Sequence, residues 1–153
     1  MIFSKLGSAV QDLGLSIERE KLELVDTFNF LGLTIEKHLN WTPHCNNIAL
    51  KLFWTLGNLK RLKSYFLSNI LQIIYYSLFH SHLNYELLSW GYKYHSIHGL
   101  QKKAIRIISK SHFRAHTDPL FSELNILQLP DLHDLVQLIF YYKHFQKIYL
   151  NIF

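Results

Sequence analysis

Paired acidic side chains are the first residues of this chain whose spacing could support catalysis. Asp131 and Asp134 lie three residues apart, so on a helix they would share one face. They fall in the first turn of a predicted helix, where the helix dipole favours carboxylates. We therefore interpret both as helix-start residues. The sequence contains no Gly-rich phosphate loop, no G-x-S-x-G motif and no Asp-Asp pair for two-metal chemistry.

Imidazole side chains are the second group to test, because the chain has ten histidines. Among the close pairs, only His112 and His116 have the i, i+4 spacing that shares a helix face, and they lie in a predicted loop. The single cysteine, Cys45, has only His44 beside it and excludes an intramolecular disulfide. We predict no catalytic residue, no metal site and no small-molecule substrate.

Positive charge is concentrated in the middle of the chain. Residues 41–117 contain ten Lys and Arg residues against one acid, Glu86, whereas residues on either side carry more acids than bases. Such a segment suits a polyanion, and equally suits a set of solvated helix faces. Charge alone leaves both interpretations open. Most of the aromatic residues have helical spacing typical of a core, and Tyr92 and Tyr94 are the best candidates for base stacking.

The first third of the chain has the period-two alternation of β-strands. Apolar and polar residues alternate in three short runs, with a turn predicted over 18–21: Leu13, Leu15 and Ile17; Leu22 and Leu24; Phe28 and Phe30. From Thr42 the period becomes helical, with Thr42 as the predicted N-cap and Pro43 as the first helical residue. The predicted apolar stripe of this helix is Ile48, Leu52, Leu56, Leu59 and Leu62.

Further helices are predicted from Ser68 to Trp90, after Ser96, over 120–124 and from Pro130. Their predicted apolar faces are Leu71, Ile74, Tyr75, Leu78 and His82 for the second helix, Leu100, Ala104, Ile107 and Ile108 for the third, and Leu132, Leu135, Val136 and Ile139 for the last. The predicted fold is α+β and mostly α, with a small N-terminal β-hairpin in residues 1–41 and a bundle of about four helices in residues 42–153. The sequence has no recognisable signal peptide or membrane-spanning segment, which predicts an intracellular protein of the cytoplasm or nucleus.

Several strings, taken in order, resemble one family of polymerases. They are MIFS at residues 1–4, FNFLGLTI at 28–35, LNWTPH at 39–44, YYSLF at 75–79 with Trp90-Gly91, QKKAIRIIS at 101–109, AHTDPLF at 115–121 and LNIL at 124–127. Together they resemble the end of the palm and most of the thumb in reverse transcriptases of jockey-like, LINE-type non-LTR retrotransposons. On this resemblance the chain is a fragment of an RNA-directed DNA polymerase.

The resemblance implies roles for two groups of residues. Phe30, Leu31 and Gly32 match the primer-grip hairpin, where a tight glycine turn lets the protein backbone approach the primer backbone. The thumb match implies phosphate contacts to an RNA–DNA or DNA duplex from basic helix faces, first from Lys102, Lys103, Arg106 and Lys110, and then from Lys60, Arg61 and Lys63.

The family's catalytic centre has no counterpart in this sequence. Its Mg²⁺ ions are held by palm aspartates, partly in an aromatic-Ala-Asp-Asp motif, and this chain has no such motif. We therefore expect no cofactor in this chain and no polymerase activity from it alone. Glu86 is also a departure, because the family usually has a small residue there. The alternative is a stand-alone basic helical module that binds nucleic acid or protein without catalysis.

Overall fold

The computed structural model describes residues 16–17, 20–21 and 25–150, and they form a mostly helical protein with a β-hairpin on its N-terminal side. The predicted class, α+β and mostly α, is therefore confirmed. The predicted strand residues Leu13, Leu15, Leu22 and Leu24, and the MIFS string, lie outside the described residues. The chain divides into two compact units, Met1–Asn46 and Asn47–Phe153.

Among the described residues of the first unit, four short strands form two antiparallel pairs. Strand β1 (Ser16–Ile17) pairs with β2 (Glu20–Lys21), and β3 (Thr27–Phe30) pairs with β4 (Leu33–Glu36). The predicted turn over 18–21 is thus shorter, because Glu20 and Lys21 already pair with Ile17 and Ser16. In the second pair, Phe30 lies opposite Leu33, which leaves only two residues for the turn.

The passage from β4 into the first helix is held by one asparagine. Helix α1 (Thr42–Leu62) begins at Thr42, so Thr42 is its first residue and not its N-cap. The Asn40 Oδ1 atom accepts hydrogen bonds from the Thr42 amide, at 3.2 Å, and from the Thr42 hydroxyl, at 2.7 Å. Asn40 therefore does at the helix start what the sequence assigned to Thr42, which is to satisfy an amide that has no partner within the helix.

The second unit continues α1 and adds six further α-helical segments. They are α2 (Ser68–Ile74), α3 (Ser81–Asn84), α4 (Leu87–Trp90), α5 (His95–Ile108), α6 (Asp118–Glu123) and α7 (Leu129–Leu150). A π-helical segment, Tyr75–His80, joins α2 to α3, and a 3-10 turn, Gly91–Lys93, follows α4. Helix α5 contacts α2, α6 and α7, which places it centrally in this unit.

The second predicted helix is broken, and its predicted apolar face is confirmed as buried only at Leu71 and Tyr75. Leu71, Tyr75, Phe79 and Leu83 are fully buried at spacings of four, whereas the predicted Leu78 is exposed. In a regular α-helix, repeated steps of four drift gradually around the axis, and the wider turn of the π-helical segment reduces this drift. The break before α4 occurs at Glu86, which adopts left-handed backbone geometry with a φ of 49°.

In the part of α7 whose burial is described, residues 129–146, the buried residues lie at the start of the helix. Leu129 and Leu132 belong to the core, but the predicted Leu135 and Ile139 are exposed. Large apolar side chains continue on the exposed surface of the helix: Leu138, Phe140, Tyr141, Tyr142 and Phe145. Among the described residues, no helix combines the length and apolar character needed to cross a membrane.

Candidate nucleic-acid interface

The hairpin tip consists of two residues with left-handed backbone. Leu31 has a φ of 47° and Gly32 a φ of 82°, the pattern of a type I′ turn. Glycine adopts this conformation without cost, whereas leucine is strained by it. The Leu31 side chain is nevertheless 74% exposed, and Phe30 beside it is also exposed. The three predicted primer-grip residues are therefore together at an apolar tip.

Polar contacts hold the hairpin below its tip. The Thr34 hydroxyl donates to Asn29 Oδ1 across the two strands at 2.9 Å. At the open end, Lys37 Nζ lies 2.6 Å from Asp26 Oδ1, and this hydrogen bond and charge lower the pKa of the Asp26 carboxyl. The Thr34 amide donates to Nδ1 of His44, the third residue of α1, at 3.2 Å. The hairpin and the start of α1 are thus joined by a hydrogen bond.

The orientation of α5 is fixed by a buried amide. Gln101 donates from Nε2 to the Tyr75 hydroxyl at 3.0 Å and to the Leu127 carbonyl at 2.9 Å. Its Oε1 atom accepts from the Leu129 amide at 2.8 Å. Burial raises the pKa of Tyr75, so its hydroxyl stays protonated. One side chain therefore connects α5 to the π-helical segment and to the start of α7.

The buried face of α5, which includes Gln101, is rotated around the helix axis relative to the predicted apolar face. The buried residues are Ile97, Gln101, Ala104, Ile105 and Ile108, while the predicted Leu100 and Ile107 are only partly buried. Lys103 is exposed on the other side of the helix, Lys102 and Arg106 are partly buried, and Lys110 is exposed just past the helix end. Three of the four predicted phosphate contacts therefore lie on α5 outside its buried face, and the fourth follows the helix.

Arg106 has a structural partner of its own. Its Nε atom donates to the Ala115 carbonyl at 2.9 Å, across the loop that follows α5. The remaining N–H groups of the guanidinium are still able to contact a phosphate, because arginine has five donors. Arg106 thus differs from Lys102 and Lys103, for which no hydrogen bond or ion pair is found within the described residues.

Lys110 occupies a position that normally favours glycine. The Ser111 amide donates to the Arg106 carbonyl and the Lys110 amide to the Ile107 carbonyl, which together form a Schellman motif. Lys110 has the left-handed φ of 55° that this motif requires. The same motif follows α6 with Asn125, a residue better suited to it. A lysine is therefore held at the end of α5 against its backbone preference.

The second predicted basic cluster is at the end of α1. Lys60 and Arg61 are exposed in its last turn, and Lys63 follows directly. Cations in this position are stabilised by the negative end of the helix dipole, which accounts for them without a ligand. Within the described residues, none of the three forms an ion pair. Their charge is therefore available to a polyanion as well.

Two exposed aromatic residues on α1, Phe53 and Trp54, were not among the residues predicted from the sequence to bind a ligand. Trp54 is 74% exposed and Phe53 is 65% exposed, although aromatic side chains at helical spacing are usually core. The signal was present, because neither residue falls on the predicted apolar stripe of this helix. Of the aromatic residues considered earlier, Tyr92 is exposed, whereas Tyr75, Phe79 and Trp90 are fully buried.

Metal-ligating side chains do not gather in the part of the chain that the structure describes: no group of three His, Cys, Asp or Glu residues is close enough to hold an ion. His98 on α5 is surrounded by mixed charges. Burial and nearby Lys102 lower its pKa, while Gln128, Asp131 and Asp118 act in the opposite direction.

Comparison with known proteins adds no assignment, because no family model, curated protein or solved structure matches this chain.

Proposed function

We propose that this chain binds a primer–template duplex in the manner of a reverse transcriptase thumb, and that it belongs to a retrotransposon RNA-directed DNA polymerase. The observation that carries the proposal is the outer face of α5. Lys102 and Lys103 lie there, Lys110 lies just past the helix end, and none of the three forms an ion pair among the described residues. Unpaired cations along one helix face suit phosphate binding, which needs positive charge and no base reading.

The hairpin tip supports the same proposal from a second place in the chain. Phe30, Leu31 and Gly32 form a narrow turn in which Leu31 is both strained and exposed. Backbone strain of this kind is typical of functional positions. The string FNFLGLTI, in which the turn occurs, resembles the primer grip of the retrotransposon enzymes.

A binding experiment with matched variants tests the proposal. We expect sequence-independent binding of an RNA–DNA duplex, and each lost phosphate contact reduces the slope of log K against log salt by about 0.9. Lys102→Gln with Lys103→Gln should reduce this slope by nearly two. The control, Lys93→Gln with Lys143→Gln, removes equal charge from exposed positions elsewhere. Equal losses in both double variants would refute an α5 interface.

Lys110→Gly gives a variant in which weaker binding cannot be due to unfolding. Glycine is the preferred residue at the left-handed position of a Schellman motif, so the end of α5 should become more stable. We expect duplex affinity to fall while the midpoint of urea unfolding rises. Unchanged affinity would remove Lys110 from the interface.

Catalysis by this chain is not part of the proposal. The sequence has no Asp-Asp pair for two Mg²⁺ ions, so primer extension with the purified chain and Mg²⁺ should yield no product. Templated synthesis would contradict the assignment of the chain to the thumb alone.

A protein-binding module is the second candidate, and the exposed half of α7 favours it. Leu138, Phe140 and Phe145 are large apolar side chains without cover in the described structure. Exposed apolar patches commonly mark protein contacts. Leu138→Gln with Phe145→Gln should abolish any self-association seen by sedimentation if this face binds protein. Duplex binding that survives these changes would favour the first candidate.

A further inference from the structure

The outer face of α1 has an arrangement that its own fold does not explain. Leu50, Trp54, Gly57 and Arg61 follow one another at spacings of four, three and four, so they form one stripe along the helix. Leu52, Leu56 and Leu59 form the buried stripe on the other side. The exposed stripe therefore joins an apolar and aromatic patch to a cation.

Gly57 in this stripe lowers the stability of the helix, and no packing contact within the described structure requires a glycine there. A Cβ atom added at Gly57 would meet nothing within 4 Å, so no neighbour in the described structure requires glycine there. Glycine within a helix is less stable than alanine by roughly 0.8–1 kcal/mol. An absent side chain between Trp54 and Arg61 leaves a shallow gap on the helix surface. A molecule lying along the stripe would approach the backbone there.

The charges around the stripe indicate which kind of ligand is complementary to it. Lys51, Lys60 and Arg61 are the charged residues of α1, and no acid occurs between Glu36 and Glu86. A polyanion is therefore complementary to this helix. The exposed Trp54 and Phe53 rings have faces on which unpaired bases can stack. Duplex bases already stack on each other and present only their edges.

We propose that the outer face of α1 binds an unpaired nucleic-acid strand, with bases stacked on Trp54 and Phe53 and phosphates at Lys60 and Arg61. Seven residues of helix separate Trp54 from Arg61, or about 10 Å, which is close to three stacked nucleotides at about 3.4 Å each. This inference rests on the proposed nucleic-acid function but assigns the unpaired strand to α1 and the duplex to α5.

Trp54 supplies its own spectroscopic signal for the test. The chain has three tryptophans, of which Trp90 is fully buried and Trp41 is partly buried. Titration of the full chain with oligouridylate or oligothymidylate should quench the emission of Trp54. Trp54→Phe should lose most of the quenching and retain affinity, because a ring remains for stacking.

Removing the ring should weaken strand binding alone. We expect Trp54→Ala to lower affinity for the oligonucleotide on the order of tenfold, the usual size for one base–aromatic stack. Gly57→Leu should also weaken binding, because its side chain would occupy the gap, where a Cβ atom meets nothing within 4 Å. Phe113→Ala is the control, since it removes an exposed aromatic residue outside α1.

Separate measurements distinguish this inference from the proposed function. Fluorescence anisotropy with a blunt duplex and with a single strand should show loss of the strand alone in Trp54→Ala. Equal loss of both, or of neither, would overturn the assignment of the strand to α1. Self-association of the wild-type chain that disappears in Trp54→Ala would also overturn it, by showing that the face contacts a second copy. Strand binding without any duplex binding would leave this inference standing and contradict the proposed function.

Discussion

Helices α1 and α5 share a five-residue pattern and differ in everything around it. Residues 57–61 read GNLKR and residues 99–103 read GLQKK, so each helix has an open glycine followed one turn later by two cations. One turn before the glycine, α1 has Phe53 and Trp54, whereas α5 has the polar pair His95 and Ser96. This difference in neighbours is the reason why we propose different nucleic-acid ligands for the two helices, a duplex for α5 and an unpaired strand for α1.

The two helices also differ in how their inner faces are held. Helix α1 buries an apolar stripe, in which Leu52 and Leu59 are fully covered. Helix α5 has Gln101 at the centre of its buried face, with three polar partners from other elements. Apolar packing tolerates small changes of shape, whereas a buried polar network depends on every member. The duplex-binding candidate is therefore the more sharply oriented helix.

Replacing one buried residue of each helix by methionine should give the largest difference in the free energy of unfolding between the two helices. Gln101→Met leaves the Tyr75 hydroxyl, the Leu127 carbonyl and the Leu129 amide without their partner, so we expect a loss of about 3 kcal/mol or more in the free energy of unfolding. Leu52→Met conserves volume and apolar character, so its loss should stay below about 1.5 kcal/mol. Urea unfolding measures both. Equal losses would mean that Gln101 does not orient α5.

The basic residues of α5 should differ in their contribution to the free energy of unfolding, because Arg106 forms a hydrogen bond within the protein and its lysine neighbours form none in the described structure. Arg106→Ala removes the hydrogen bond to the Ala115 carbonyl, so we expect it to cost about 1–2 kcal/mol of unfolding free energy. Lys103→Ala should stay within about 0.5 kcal/mol, because the side chain is exposed and has no partner in the described structure. If both variants match the wild type in urea unfolding, Arg106 is as free as its neighbours.

The open glycines should respond in the opposite direction. Gly57→Ala and Gly99→Ala should each stabilise the protein by about 0.5–1 kcal/mol, since a Cβ atom at either position meets nothing within 4 Å. Gly91→Ala is the contrasting control, because its Cβ would overlap the buried ring of His133. Thermal unfolding should therefore rise for the first two variants and fall for the third. Destabilisation by Gly57→Ala would show that the stripe is already covered.

The helical periodicity of the sequence was informative where a helix is regular and apolar. For α1, four of the five predicted stripe residues are buried, and Leu62 is partly buried at the helix end. For the second helix, periodicity predicted the buried face only in part, because a π-helical turn changes the number of residues per turn and composition does not reveal it. For α5 the predicted apolar face was rotated away from the observed one, because the buried Gln101 is a polar residue in the sequence.

The partners of that glutamine explain why its role could not be predicted. Tyr75 lies 26 residues before Gln101, and Leu127 and Leu129 follow it by 26 and 28 residues. Only the folded chain brings them together. The positions of Phe30, Leu31 and Gly32 at a turn were predictable, since FLG separates two alternating runs, but the strain at Leu31 was not. Function at these residues remains a prediction from the resemblance and from their exposure.

The smallest expected effects concern two histidines, each near a lysine of one helix. Burial and then the charge of Lys51 on α1 lower the pKa of His82, and burial and then Lys102 on α5 lower that of His98. A pKa lowered by folding means that the unfolded state binds more protons between the two values. Stability is therefore full above about pH 6.5, the unfolded value, and falls as the pH drops below it.

The two lysines can be tested separately by following histidine titrations in NMR spectra. Lys51→Gln should raise the pKa of His82 and leave His98 unchanged, whereas Lys102→Gln should raise the pKa of His98 alone. In each case the remaining shift should stay downward, because burial is the larger cause. Added salt should act like both substitutions, since it screens partly exposed charges. If the pKa of His98 changes neither with Lys102→Gln nor with salt, the ammonium group of Lys102 does not lie close to His98.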